Sequence, residues 1–475
     1  MSTNPAVSMP DADAVADAIK NVPFVAVSDI MARTDTGDLA DVLLPAAGWG
    51  EKEGVVTNSE RRMSRQRSFL PIPGQARADW RIISDVATRM GFGEAFNYET
   101  ASDVFAEYLG LDEAVRHFGR DLDLSVLADV DYATMMPTQW PQNDRRFFAD
   151  GQFYHADGKA KMYPITPPAP IQNGLTLNTG RNRDQWHTMT RTGKSAKLGS
   201  HLAEPFLELH PKDAEGLKII TGDLVELNSQ QQGKAILRAL VSDRVAKGEC
   251  FAPMHWTRQT ARGGTINSVT NPRNDPYSGQ PALKSTSVSA EVYEAKWYGF
   301  LVTSVEPIPD TPYAATARTS TGWQMEMAGT VTPTSWEDFV GQLTGLKNAT
   351  VAEHSDAATG LTRIALSIDG ILSALFFASP EPVVLSRTTA IAQIGTDTSP
   401  LLALAGRPIG DQPDPGPTVC ACFDVGRNTL LDAVQNGAAS IAELGALTCA
   451  GTNCGSCKPE LADLLLEVAQ PIAAE

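Results

Sequence analysis

Four cysteines close to the carboxyl end constrain this chain more than any other feature. Cys420 and Cys422 form C-x-C, Cys454 and Cys457 form C-x-x-C, and 31 residues separate the two pairs. Both pairs can reach one metal centre only if the intervening segment folds back on itself. RNTLLDAVQNGAASIAELGAL carries apolar residues at helical spacing, interrupted at Asn436-Gly437. That pattern predicts helix, turn, helix. Thiolates suit zinc or iron–sulfur centres, because soft sulfur ligands stabilise both. C-x-C is tighter than the usual spacing of structural zinc sites. Glycine and small polar residues flank the second pair in AGTNCGSC, where freed backbone amides can donate to cluster sulfurs. These features weigh toward iron–sulfur, with zinc as the rival.

Disulfides are the other use for six cysteines in 475 residues. The opening MSTNPAVSMPDADAVADAI lacks the basic start and continuous apolar core of a signal peptide. A cytoplasmic setting is therefore expected, where clustered cysteines bind metal or act in catalysis. Cys449 reads as a packed or spare thiol, and Cys250 as a buried structural one.

The length predicts two to four domains of about 100–200 residues each, and 42% hydrophobic residues can fill sizeable cores. No apolar run approaches the ~18 residues of a membrane span, and GILSALFFA is too short. With 39 basic against 56 acidic residues the formal charge is −17, so nonspecific nucleic-acid binding is not expected. Anions would bind only in local basic pockets.

The pattern along the chain predicts a multidomain α/β plus β protein. FVAVSDI (24–30) and ADVLLPA (strand 42–44, stopped by Pro45) read as strands in a strand–loop–helix–strand rhythm. That rhythm favours a parallel sheet with ligands at the carboxyl ends of its strands. DWRIISDVATRMGF has helical spacing and ends at Gly91, and 101–150 mixes helix with loop. YPITPPAPI is a Pro-rich linker. Short alternating runs follow, with a turn expected around Gln232-Gly233, the signature of an all-β barrel. Residues 297–405 read as a small α/β module, and DQPDPGPTV as a semi-rigid linker into the cysteine region.

Three strings upstream could carry chemistry. NSERRMSRQR holds Arg61, Arg62, Arg65 and Arg67, whose forks could neutralise a phosphorylated cofactor. A solvated surface helix is the bland alternative. LNTGRNRDQWHTMTRTGK places hydroxyls, amides and cations around glycines after a strand, as a polyphosphate and a purine edge would need. His187 by itself would more often be a structural histidine. The turn-rich stretch from PMHW to DPYSGQPALK, with Asn267, Asp275, Gln280 and Lys284, reads as a loop.

The stretch 417–462, on its four cysteines, resembles the bacterioferritin-associated-ferredoxin-like [2Fe–2S] domain. DVLLPAAGWGEKEGVVTNSERR, TGRNRDQWHTMTRTGK, PMHW and DPYSGQPALK resemble the pterin-contacting loops of the molybdopterin oxidoreductases, in particular the bacterial assimilatory nitrate reductases. The resemblance implies a partial α/β molybdopterin oxidoreductase domain over 1–165 and a double-psi-type β-barrel dinucleotide-binding domain over 166–296. It implies the small α/β module over 297–405 and a small helical [2Fe–2S] domain over 417–475. Cys420, Cys422, Cys454 and Cys457 would ligate the cluster. Ser28, Asp29, Asn58, Glu60, Arg61 and Arg62 would line one molybdopterin guanine dinucleotide. Gly180, Arg181, Trp186, His187, Thr188, Asn267, Gln280 and Lys284 would line the pterin and dinucleotide pocket of the barrel.

The activity implied is two-electron reduction of nitrate at a molybdenum bis-molybdopterin guanine dinucleotide centre, in the cytoplasm. The donor would be ferredoxin, flavodoxin or an NADH-dependent reductase subunit. No C-x-x-C-x-x-x-C for a [4Fe–4S] cluster occurs, and no cysteine precedes Cys250. The molybdenum ligand and that cluster are therefore expected upstream, in a longer enzyme or a separate N-terminal half. The rival expectations are a non-catalytic electron-transfer or cofactor-holding subunit, a formate dehydrogenase, and, more distantly, a zinc scaffold.

Overall fold

A computed structural model describes residues 1–116, 123–141, 146, 148–165, 174–230, 233–408, 413–455 and 457–469. Much of the first Pro-rich linker, Gln232 of the expected turn, and Asp411-Gln412 of the second linker lie outside them. The chain forms two compact units. One comprises residues 1–3, 22–33 and 37–170, the other 4–21, 34–36 and 171–475.

In the first unit Ala26–Asp29 pairs in parallel with Val42–Pro45, in register Ala26 to Val42. This is the pair the strand–loop–helix–strand rhythm predicts, with a short 3-10 turn, Gly37–Leu39, between. It remains two-stranded among the described residues. Gly54–Thr57, Arg62–Gln66 and Thr138–Gln139 form a separate antiparallel sheet. The arginine-rich string is therefore a hairpin and a strand, and the surface helix weighed as its alternative does not form. The Asp79–Ala87 helix runs on into a single π turn, Thr88–Phe92, where Gly91 takes φ +93°. The Ala101–Arg116 helix lies over a core of Met63, Phe105, Leu124, Leu127, Met135 and Trp140.

The second unit is built on a closed barrel of six strands: Leu175–Gly180, Phe206–Leu209, Leu224–Ser229, Lys234–Val241, Glu249–Pro253 and Lys284–Val292. Alternation sets its inside. Leu175 and Leu177 of the first strand, and Ala235, Leu237 and Ala239 of the fourth, point into one core. Each buried leucine contributes about 1.5–3 kcal/mol. The opposite face is also used: Leu224 and Ile236 pack outward on Tyr313, Ala315 and Ala328.

Those three belong to a seven-stranded sheet whose neighbouring strands all pair antiparallel among the described residues. Its strands come from 297–379, with Ala261–Arg262 at one edge. Helix Trp336–Thr344 covers one face, over Leu301, Met325 and Phe376. Helices Arg387–Gln393 and Pro400–Ala403 cover the other, over Phe300, Val302 and Leu375. The region mixes helix and strand as expected, in antiparallel rather than βαβ order.

The amino-terminal helices Pro5–Ser8 and Ala12–Lys20, placed by sequence with the first 165 residues, group with the barrel. Asn267 Nδ2 donates to Val7 O at 2.8 Å, and the Arg258 guanidinium contacts Ala6 O, Asp13 and Asp35.

The cysteine region folds as a short antiparallel pair, Thr418–Cys420 with Val425–Gly426, and three helices. Arg427–Gln435 and Ile441–Thr448 are the helix–turn–helix predicted between the cysteine pairs, with Gly437 at φ +107° in the turn. Ser440 caps the second helix by accepting from Glu443 N, and Glu443 accepts in return from Ala439 N. Lys458–Ala469 closes the domain.

A candidate two-metal centre and the loops at one end of the barrel

Cys420 ends its strand, and Cys422 follows in a turn completed by Asp424 at φ +55°. A Cβ on Gly426 would lie 2.0 Å from Pro415 O, so only glycine lets the hairpin close there. Cys454 lies in a loop that turns through Gly451 and Gly455, both at positive φ, and Cys457 directly precedes the last helix. Folding brings the four cysteines into two close pairs. Cys422 Sγ and Cys454 Sγ are 3.3 Å apart, and the Cys420 and Cys457 thiols share a hydrogen bond. The inner pair is buried, each cysteine 3% exposed, whereas Cys454 is exposed.

Burial works against a thiolate at Cys420, but the N–H groups of Gly451 and Phe423, the Cys457 thiol and the Cys422 N–H together outweigh it and hold this thiol below its ordinary range. Burial and the Cys420 sulfur push Cys457 up to about 11. Amides aimed at a buried sulfur are the donors a cluster ligand needs. Among the described residues, no three His, Cys, Asp or Glu side chains form a group suited to a single ion. Two close thiol pairs can supply two thiolates to each of two metals. Cys449 is exposed at the end of its helix, a spare thiol rather than a packed one. Cys250 is buried, and burial raises its thiol to about 12, as expected of a structural cysteine.

The second constellation gathers at one end of the barrel. Leu175–Gly180 and Glu249–Pro253 run parallel, Gly180 opposite Pro253, and both deliver loops at their carboxyl ends. A Cβ on Gly180 would lie 2.7 Å from the Phe251 ring. Thr179 Oγ1 donates to Leu283 O at 2.6 Å, which sets Lys284, an exposed residue, beside the same strand. Arg181 and His187 are exposed and Trp186 is half-buried.

His187, Thr188 and Met189 take φ of 49°, 50° and 58° in succession. Left-handed backbone at non-glycine residues costs on the order of 1–3 kcal/mol each and collects at functional sites. The turn is held from the adjoining loop: Thr188 N donates to His255 Nδ1 at 3.4 Å. Burial, then His187 and Arg181, lower the His255 imidazole to about 4, so it is neutral and can accept.

Around these residues lie buried polar atoms without a partner: Asn182 Nδ2, Gln185 Oε1 and Trp256 Nε1. An unsatisfied buried group costs about 1–3 kcal/mol, and a polar ligand would relieve it. Gly180, Arg181, Trp186, His187, Thr188 and Lys284 thus belong to one end of the barrel. Asn267 is buried, with its amide nitrogen committed to Val7 O and its Oδ1 unpartnered. Gln280 sits in an exposed turn organised by Asp275. His255 and Trp256 join the site although neither is among the residues expected there; only their string, PMHW, is. The signal was their place directly after a strand; their burial was not legible.

In the first unit, Ser28 and Asp29 are buried at the carboxyl end of the Ala26–Asp29 strand, with Ser28 Oγ unpartnered and Asp29 Oδ1 accepting from Met31 N. Asn58 organises the hairpin turn by accepting from Glu60 N and Arg62 N at 3.1 and 2.9 Å. Arg62 Nε donates to Glu60 Oε1 at 3.0 Å and holds that carboxyl below its ordinary range. Arg61, at φ +61°, lies over the Trp140 ring, and Arg65 pairs with Glu53 and stacks on Tyr132. Part of the expected positive charge is thus committed within the fold.

Residues 1–89 match the molybdopterin oxidoreductase family, 175–287 the molydopterin dinucleotide binding domain, and 418–467 the BFD-like [2Fe-2S] binding domain. The chain is 36% identical to a nitrate reductase of Klebsiella oxytoca over 98% of its own length and 55% of that protein. It is 34% identical to the assimilatory nitrate reductase catalytic subunit of Bacillus subtilis, over 61% of this chain and 41% of that one. An F420-dependent formate dehydrogenase subunit alpha of Methanocaldococcus jannaschii is 33% identical over 61% of this chain and 42% of that one. The chain spans about half the length of the curated relatives it matches.

Proposed function

This chain belongs to the molybdopterin oxidoreductase family, and we propose that it forms the dinucleotide-binding and electron-relay part of an assimilatory nitrate reductase. The observation that carries the substrate is the similarity to the Klebsiella nitrate reductase over 98% of the chain, cysteine domain included. The formate dehydrogenase similarity covers 61%, which makes formate oxidation the second reading.

Cys420, Cys422, Cys454 and Cys457 would hold a [2Fe–2S] cluster, two thiolates to each iron. The six-stranded barrel would be the double-psi-type dinucleotide-binding domain. Arg181 and Lys284 would offset the charge of a guanine dinucleotide's phosphates, and Trp186, His187, Thr188, Asn267 and Gln280 would face its pterin and base. Ser28, Asp29, Asn58, Glu60, Arg61 and Arg62 would contact a second dinucleotide. When bound, the molybdenum centre supplies the two-electron chemistry that turns nitrate, two protons and two electrons into nitrite and water, and the cluster supplies single electrons. The protein's part is to orient the cofactor and to aim N–H groups at buried sulfur. No cysteine precedes Cys250, so a cysteine ligand to molybdenum, or a [4Fe–4S] site of the C-x-x-C-x-x-x-C kind, would come from outside these 475 residues. Among the described residues no helix is long and apolar enough to cross a membrane. A cytoplasmic enzyme reduced by ferredoxin, flavodoxin or an NADH-linked subunit agrees with the assimilatory relative.

The test is anaerobic expression followed by metal and sulfide analysis and an absorption spectrum. About two irons and two sulfides per chain, lost in Cys454→Ser, are expected. Zinc without iron or sulfide would overturn the relay. With molybdenum present, nitrate-dependent oxidation of a reduced dye supports nitrate, and formate-dependent dye reduction supports the second reading.

A further inference from the structure

The Lys458–Ala469 helix, which begins directly after Cys457, meets the barrel through charged side chains. Glu460 Oε2 lies 3.4 Å from Arg183 Nη1, and Glu460 Oε1 lies 3.1 Å from His201 Nε2. Arg183 Nε donates to Asp184 Oδ2 and Oδ1 at 3.0 and 3.1 Å. Asp184 Oδ2 is 2.9 Å from His201 Nδ1, an ion-pair distance without hydrogen-bond alignment. Arg183 Nη2 reaches Val419 O at 3.5 Å, one residue before Cys420. One guanidinium therefore touches the strand that ends at Cys420 and the helix that follows Cys457.

This is no solvated charge run. The side chains of Asp184, His201 and Arg183 are 10%, 12% and 19% exposed. Buried charges persist only when paired. Burial disfavours the charge on both Arg183 and His201, yet the Glu460 and Asp184 carboxylates outweigh it and hold both protonated above their ordinary values. Arg183 and Asp184 lie between Arg181 and Trp186, so the loop offered to the dinucleotide also carries the cysteine domain. Arg183 and the Cys457 sulfur also interact electrostatically. A cation at a partly desolvated site favours whichever state of a neighbouring centre carries more negative charge.

We propose that Arg183 is a positioning residue that fixes the cysteine domain on the barrel and biases the centre held by the four cysteines toward its reduced state. The second half rests on the cluster reading above; the docking half does not.

Both halves are measurable in the full chain with Arg183→Ala, Arg183→Lys, Glu460→Gln and, as control, Asp463→Asn. Among the described residues Asp463 makes an exposed 3.6 Å contact with Arg244, and exposed ion pairs of that kind contribute little. The readouts are the midpoint potential, from a redox titration followed by electron paramagnetic resonance, and hydrogen exchange of the 458–469 amides. Arg183→Ala is expected to lower the potential and speed that exchange about tenfold or more, as loss of charged hydrogen bonds implies. Arg183→Lys should restore the potential toward wild type. Glu460→Gln should speed exchange without lowering the potential, and it tests the junction if Arg183→Ala does not fold. Asp463→Asn should change neither. Wild-type potential and exchange in Arg183→Ala would overturn the proposal, as would unaltered exchange in Glu460→Gln. A wild-type chain without iron or sulfide would overturn the cluster reading and the potential half with it, while exchange would still decide the docking half.

Discussion

His255 is neutral where an exposed histidine would begin to charge, and its neutral Nδ1 is what lets Thr188 N donate to it. The unfolded chain takes up this proton near pH 6.5, whereas the folded chain resists it until about 4. Between those values the unfolded state binds more protons, so stability rises with pH. The contribution is complete above about pH 6.5 and is lost as pH falls toward 4. Denaturant midpoints measured from pH 7 to 4.5 should therefore decline, and His255→Gln should show a shallower decline over that window. A second residue-scale expectation concerns Gly426. Its substitution by alanine drives a Cβ against Pro415 O, an overpacking cost of about 1–3 kcal/mol or more. Reduced iron and sulfide content of Gly426→Ala, with the barrel still folded by circular dichroism, is the expected result. The cysteines and the glycines of their loops were legible in the sequence because their chemistry is local. His255 was not, because its shift comes from burial and from His187 and Arg181, 68 and 74 residues away.

Elements were legible where their period was regular. The parallel pair near the amino end, the barrel strands and the helices between the cysteine pairs follow from alternation, helical spacing and turn residues. The arginine-rich string was ambiguous, because four charges in seven residues fit a solvated helix as well as a strand. Pairing of Arg62–Gln66 with Gly54–Thr57 and the Asn58 turn decided it. Element packing also creates a buried ion group that no periodicity announces. Glu204 accepts from Arg238 Nε and Nη2 at 3.0 Å each and from the Tyr313 hydroxyl, joining the barrel to the antiparallel sheet. Removing one partner strands a buried charge, so Glu204→Ala should cost about 3–5 kcal/mol in urea denaturation. A paired replacement, Glu204→Gln with Arg238→Met, should recover much of that loss.

At the scale of the molecule, the first unit exposes large apolar side chains around Gly50: Trp49 at 64%, and, beside that glycine, Phe69 at 76% and Leu70 at 51%. Exposed apolar surface of this kind associates. The isolated chain should self-associate in sedimentation velocity, and a Trp49→Ser, Phe69→Ser double substitution should shift it toward monomer. A wild-type sample that is monodisperse across the concentration range would contradict this expectation. The sequence by itself determined the thiol chemistry, the barrel, the helical hairpin between the cysteine pairs, and the glycines on which both sites turn. Each of these rests on residue type and short-range period. Only the tertiary structure decided that the sulfurs meet as two pairs, that residues 4–21 pack on the barrel, and that Arg183 and His201 receive Glu460 from 259 or more positions away. Burial and charge pairing set those outcomes, and both are properties of neighbours that the order of residues does not name.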